Sequence, residues 1–317
     1  MKKLVASLML AVVAAAVLGG CANSPKQETE KPKELQELSI GLMPSLDAVP
    51  FIIAQEKGFF TQEGLNVKLK TFSSPLDRES ALQSGMIDGS ISDMQGVGFD
   101  KAGGFDIVIT SASVGNYKLV ANKASGINRL SDLQGKDVAV SKNTAIEYVA
   151  DKMLADGGMS SDSINKVVIP QIPVRLEMLQ NGKLEAAVLP EPVVSVAIKN
   201  GAKVIRDTQQ MNRNPSVVVF TRQAVTGKEK EIQALYRAYN KAVEYIAAHP
   251  QEEYMDILIE QGGFPEAIKG ILTLPAYPKA AAPRPEEIQD VLDWMSAKKM
   301  LTAQYGYRDL VDDRFVR

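Results

Sequence analysis

The chain has 317 residues but only one cysteine, one histidine and one tryptophan. A lone cysteine closes no internal disulfide, so the fold must rest on its apolar core. Cys21 and His249 stand alone, so no Cys/His cluster offers a transition-metal site. His249 falls at a predicted helix end before Pro250, far in sequence from the strand-end loops, so neither a Cys/His pair nor a Ser/His/Asp triad is expected, and no Gly-Lys-Ser/Thr phosphate loop occurs. No catalytic residue, cofactor or metal is therefore expected. The net charge is only -2, which gives no basic field and makes nucleic acid an unexpected partner.

Long apolar runs are also missing. The best, residues 4–18, falls short of the roughly 20 residues a membrane helix needs. Behind Lys2 and Lys3 it fits the apolar core of a secretory signal. It ends in Leu18-Gly19-Gly20-Cys21, which resembles a bacterial lipobox. Residues 1–20 are thus expected to be a leader, with Cys21 lipidated, extracytoplasmic and anchored to the cell membrane. Residues 21–37 are polar and alternate Lys with Glu. Such a segment buries too little surface to offset its ordering entropy, so it reads as a flexible tether.

Beyond it, short apolar strand patterns fall at 38–43, 67–72, 89–92, 107–111, 118–122, 137–141, 166–169, 186–189, 203–206 and 216–221. Most are continuous apolar runs, as expected of strands covered on both faces. Helical patterns lie between them at 50–57, 75–84, 144–155 and 174–181, which argues an α/β class. From 228 onward, patterns at 228–248, 252–261 and 285–298 read as helices without intervening strands. The roughly 300 residues after the leader suffice for two domains.

Four segments, in order, resemble the type II periplasmic binding proteins that take up nitrate, taurine, aliphatic sulfonates and thiamine-precursor pyrimidines. The first runs from Gly41-Leu-Met-Pro-Ser through Glu56-Lys-Gly-Phe-Phe60 to Glu63-Gly-Leu65. The others are Ala81-Leu-Gln-Ser-Gly-Met-Ile-Asp-Gly89, Ile127–Val140 and Leu179–Pro192, the last ending Leu-Pro-Glu-Pro. The resemblance implies a two-lobed fold, each lobe a mixed sheet flanked by helices, with two crossing strands as hinge and one ligand in the cleft. Crossings are expected near 118–123 and 215–222. They divide the chain into lobe 1 (38–123 and 213–317) and lobe 2 (124–212).

In open α/β sheets ligands sit beyond the carboxyl ends of strands, against helix N-termini. That rule nominates Ser45, Asp47, Ser74, Asp77, Ser92, Asp93, Ser113, Asn116, Ser141, Asn143, Thr144, Glu147 and Glu191. Several have a plainer use. Ser74-Pro75-Leu76-Asp77 fits a helix start, Thr144 and Glu147 fit a capping box, and Asp47 also precedes a helix. Tyr117, Tyr148, Phe51 and Phe99 would serve either as stacking faces or as core; Phe59 and Phe60 read as core. The acidic excess suits an amine or a nitrogen heterocycle held by Asp93 and Glu191 from opposite lobes.

The expected function is therefore capture of a small molecule by a monomeric, lipid-anchored binding protein that serves an ABC permease and its ATPase. Alternatives are an anion binder of the same family, a ligand sensor, or an enzyme like those of pyrimidine and menaquinone synthesis, which share the fold.

Overall fold

The computed structural model describes residues 35–317. The expected leader and Cys21 lie outside the described residues. The end of the expected tether already belongs to the fold: Leu35 packs against the core and the Gln36 amide donates to Glu231 Oε1 at 2.9 Å.

Ten strands form at the ten apolar runs. They are β1 (Leu38–Leu42), β2 (Val67–Thr71), β3 (Gly89–Asp93), β4 (Ile107–Ala112), β5 (Tyr117–Ala121), β6 (Asp137–Val140), β7 (Asn165–Val168), β8 (Ala186–Pro190), β9 (Lys203–Asp207) and β10 (Ser216–Thr221). They make two five-stranded mixed sheets, ordered β2-β1-β3-β10-β4 and β7-β6-β8-β5-β9. In each, four strands run parallel to one another and one, β10 in the first sheet and β5 in the second, is inserted antiparallel between the last two.

Side-chain alternation explains the continuous apolar runs. Val218 and Phe220 of β10 enter one core with Leu38, Ile40 and Phe51, while Val217 and Val219 enter another with Ile107 and Ile109. In the second sheet Val138 and Val140 face that second core, and Ala139 faces a third with Leu179 and Leu189. Gly89 pairs with Phe220 across β3 and β10. A β-carbon there would stand 2.5 Å from the Phe220 ring and 2.6 Å from the Val219 carbonyl, so the close strand pairing requires glycine.

The lobe crossings differ from expectation. β5 lies between β8 and β9 of the second sheet, and β10 lies between β3 and β4 of the first. The chain therefore passes between sheets at 113–116 and 208–215, before the expected 118–123 and 215–222. An apolar run such as 118–121 looks alike whether it crosses between lobes or pairs within one, so its pattern does not mark the boundary.

The helical tail returns to the first sheet. Glu229–Ala248 buries Ile232, Leu235, Tyr236, Tyr239, Val243 and Ile246, one stripe at helical spacing. It stops before His249-Pro250, where proline disfavours helical angles. Helix Pro285–Ala297 buries Ile288, Val291, Leu292, Trp294 and Met295. No described helix is long and apolar enough to cross a membrane.

Candidate ligand-binding site between the two sheets

A partly open space of about 50 Å³ lies where the carboxyl ends of six strands converge. Met43, Ser45 and Asp47 reach it from beyond β1, Pro75 and Arg78 from beyond β2, and Ser92 and Asp93 from β3. The second sheet contributes Thr144, Ala145 and Ile146 after β6, Ile172 and Arg175 after β7, and Pro190 at the end of β8. Tyr117, paired with Pro190 across β5 and β8, completes the wall with Ile91.

The first-lobe side is a network of charges. Arg78, 6 % exposed, donates to Glu79 Oε1 at 2.6 Å and to Ser92 Oγ at 3.0 Å. Burial opposes its charge, but Glu79, Asp93 and Asp47 together raise its pKa. Burial lifts the Asp47 carboxyl to about 6, against the pull of the Ser45 hydroxyl and the Arg78 charge. Behind them Asp100 is likewise raised, by burial and then by the charge of Glu79.

Asp93 joins the lobes. Its Oδ1 accepts from Gly96 N at 2.7 Å, capping helix Met94–Ala102, and its Oδ2 accepts from Ala145 N of the second lobe at 3.1 Å. Burial raises its pKa, with Arg78 pulling the other way.

The second-lobe side carries a charge without a partner. Arg175 is 1 % exposed. Its Nη1 donates to the Ile169 carbonyl at 2.9 Å, and its Nε meets no acceptor. No carboxylate among the described residues pairs with it, and burial alone lowers its pKa to about 10. A buried charge without a counter-ion is costly. Arg175 was absent from the sequence candidates. The loop after β7 obeys the same strand-end rule as the others, and that was the available signal.

Of the nominated residues, Ser45, Asp47, Ser92, Asp93 and Thr144 line this space. Ser74 caps helix Pro75–Gln83, accepting from Asp77 N at 3.2 Å and donating to Asp77 Oδ2 at 2.7 Å. Thr144 Oγ1 accepts from Ile146 N at 3.2 Å and donates to the Ser141 carbonyl at 2.9 Å. The expected capping box is displaced by one residue: Glu147 accepts from Asn143 N at 2.8 Å, where Asn143 adopts a positive φ of 60°. Ser113 and Asn116 are buried in the first crossing, with Ser113 Oγ and Asn116 Oδ1 unpaired.

Glu191 does not meet Asp93 in this space. It pairs with Lys118 at 3.0 Å, accepts from Ser195 N at 3.0 Å and Ser195 Oγ at 2.8 Å, and lines a separate hollow with Ile271 and Thr273. Among the aromatics only Tyr117 reaches the site. Phe51 packs on Tyr239, Tyr148 on Trp294, and Phe99 against the second core.

A family model described as NMT1/THI5 like matches residues 45–253, starting at the first loop of this site. The chain belongs to that family. A provisionally named aliphatic sulfonates-binding protein of Bacillus subtilis (strain 168) is 26% identical over 324 residues, covering 98% of this chain and 95% of its own. The alkanesulfonate-binding protein of Xanthomonas axonopodis pv. citri, solved with MOPS, superposes with a TM-score of 0.76 at 17% identity, over 88% of this chain and 99% of its own. The nitrate-binding protein of Synechocystis PCC 6803 gives 0.67 at 18%, over 86% and 83%. These neighbours share the periplasmic binding protein fold.

Proposed function

We propose that this chain is the extracytoplasmic, lipid-anchored binding component of an ABC importer and that it captures a small organic anion, such as a sulfonate, between its lobes. Arg175 is the observation that carries this reading. It is buried, lines the interlobe space, and pairs with no carboxylate among the described residues. The amides that open helix Ala145–Asp156 on the same side are already engaged, Ala145 N with Asp93 and Ile146 N with Thr144, so Arg175 is the donor left for the anion. The apolar walls, Met43, Ile91, Ile146, Ile172 and Pro190, suit a compact hydrocarbon body. Closure of the lobes around the anion would then present the loaded protein to a permease, whose ATPase drives release.

An amino group on the same ligand is the second reading, favoured by Asp47 and Asp93 in the wall. A cationic ligand without an acid group would leave Arg175 unmatched.

A thermal-shift screen over alkyl sulfonates, carboxylates, nitrate, pyrimidines and polyamines tests the class, because a ligand that binds only the folded chain raises its apparent stability. An organic anion is expected to score. Arg175→Gln should weaken it by about 1.5–3 kcal/mol, the worth of a charged hydrogen bond. Tight binding of a polyamine or neutral pyrimidine, unaltered in Arg175→Gln, would reverse the assignment.

A further inference from the structure

The last long helix, Pro285–Ala297, belongs to the first lobe by packing. It lies on helix Met94–Ala102, with Met295 so close to Gly98 that a β-carbon there would stand 2.6 Å from its sulfur. Its other flank reaches the second lobe. Asp290 accepts from the Tyr148 hydroxyl, from Lys152 Nζ at 2.6 Å, and from Arg213 of the second crossing. Trp294 Nε1 donates to Asp151 Oδ2 at 2.9 Å, and its ring meets Tyr148 edge-on at 5.5 Å. Lys298, just past the helix, reaches Glu147 Oε1 at 2.8 Å and Asp151 Oδ2 at 2.7 Å, where Lys166 of β7 also pairs.

These groups form one ionic joint that touches the first lobe, the second lobe and a crossing segment together. None of the acids in it lines the interlobe space around Arg175. Burial opposes the charges of Glu147 and Asp290, yet the Asn143 amide and Lys298 hold the Glu147 carboxyl down, and Lys152 and Tyr148 do so for Asp290.

We propose that Asp290 and Lys298 are positioning residues for the lobes: their bonds across the joint hold the lobes together before ligand arrives and so set the fraction of molecules ready to bind. Apparent affinity scales with that fraction, so a residue far from the ligand tunes capture without touching it. The pairs are partly exposed, and salt weakens them.

Spin labels at Ser80→Cys and Glu177→Cys test this. Both positions are exposed, on helices Pro75–Gln83 and Ile172–Gln180 that contribute Arg78 and Arg175. A Cys21→Ala background leaves no other cysteine. Pulsed dipolar spectroscopy then reads the interlobe distance with no ligand added. Asp290→Asn and Lys298→Met should each shift the distribution to longer distances, their combination further, and Lys298→Arg should restore it. Molar salt should lengthen the parent's distances more than the double variant's. A joint that only braces its helix would lower the melting temperature and leave the distances alone. A double variant with the parent's distribution at every salt concentration overturns the proposal. Because no ligand enters, that failure would leave the anion reading untouched.

Discussion

The Asp93 carboxylate of the first lobe accepts a hydrogen bond from the Ala145 amide, the first residue of a helix in the second lobe, at 3.1 Å. The same carboxylate caps its own helix through Gly96. One side chain therefore serves helix capping and lobe contact at once. A helix N-terminus is also where an anionic ligand gains most, so Asp93 stands in competition with it.

Two substitutions separate these roles. Asp93→Ala removes the cap and the lobe contact, and should destabilise the protein by about 1–2 kcal/mol in urea melts. Asp93→Asn keeps one oxygen for the Gly96 cap but turns its amide NH2 toward the Ala145 N–H, so it should lose the lobe contact alone, about 0.5–1 kcal/mol. Under the anion reading, Asp93→Asn should also bind the anion at least as tightly as the parent. Equal losses of stability in both variants would show that charge, not capping, is what the position needs.

Glu191 gives the opposite pattern. It holds Lys118 and the Ser195 amide and hydroxyl in a hollow away from Arg175. Glu191→Ala leaves the Ser195 donors without an acceptor and Lys118 with only the longer Asp207 pair at 3.7 Å, which should cost about 1–3 kcal/mol of stability. Anion affinity by titration calorimetry should stay within about twofold, less than a single neutral hydrogen bond is worth. A tenfold loss with unchanged stability would return Glu191 to the ligand.

Some parts of this molecule are legible in its sequence and others are not, and single residues show why. Val138-Ala-Val140 and Val217–Phe220 announced their strands because both faces of each sheet are covered, so every position had to be apolar. Asp47, Ser92, Asp93 and Thr144 were reachable because ligand loops follow strand ends. Which way a side chain points at a strand end was not legible. Pro190 lines the space, and the next residue, Glu191, turns to the other side, as alternation requires. Arg175 was hidden for another reason. One arginine inside Ile172-Pro-Val-Arg-Leu looks like the solvated face of a helix, and only the packing of the second lobe buries it. The ionic joint at Asp290 depends on contacts between residues more than a hundred positions apart, beyond any local pattern.

Anchoring rests on Cys21, outside the described residues. If the thiol carries lipid, Cys21→Ala should move the protein from the membrane pellet to the soluble exported fraction, detectable by fractionation and blotting. Membrane retention of that variant would mean another anchor. Solute binding should be the same in both forms, since the pocket starts at Met43.

Burial of Asp47 predicts a site sensitive to pH. Burial lifts its carboxyl from the ordinary 3.8 to about 6. Between those values the folded chain binds more protons at Asp47 than the unfolded chain, so folding stability falls as pH climbs from about 4 to 6. Above the folded value the penalty is complete, about 3 kcal/mol for a shift of about two units. Asparagine cannot ionise. Asp47→Asn should therefore be more stable than the parent by up to about 3 kcal/mol at pH 8 and match it near pH 4. Taking the difference between the two proteins cancels Asp93, Asp100 and every other group that titrates in both. Anion capture follows the same proton. Protonating Asp47 removes a negative charge from the wall facing Arg175, so anion affinity should rise in the parent as pH drops from 7 to 5. In Asp47→Asn that rise should be smaller, the remainder coming from Asp93 and Asp100, which burial also raises. Urea melts and calorimetric titrations at pH 4 to 8 measure both. A stability difference that stays constant across this range would show that the Asp47 carboxyl titrates as it does in the unfolded chain.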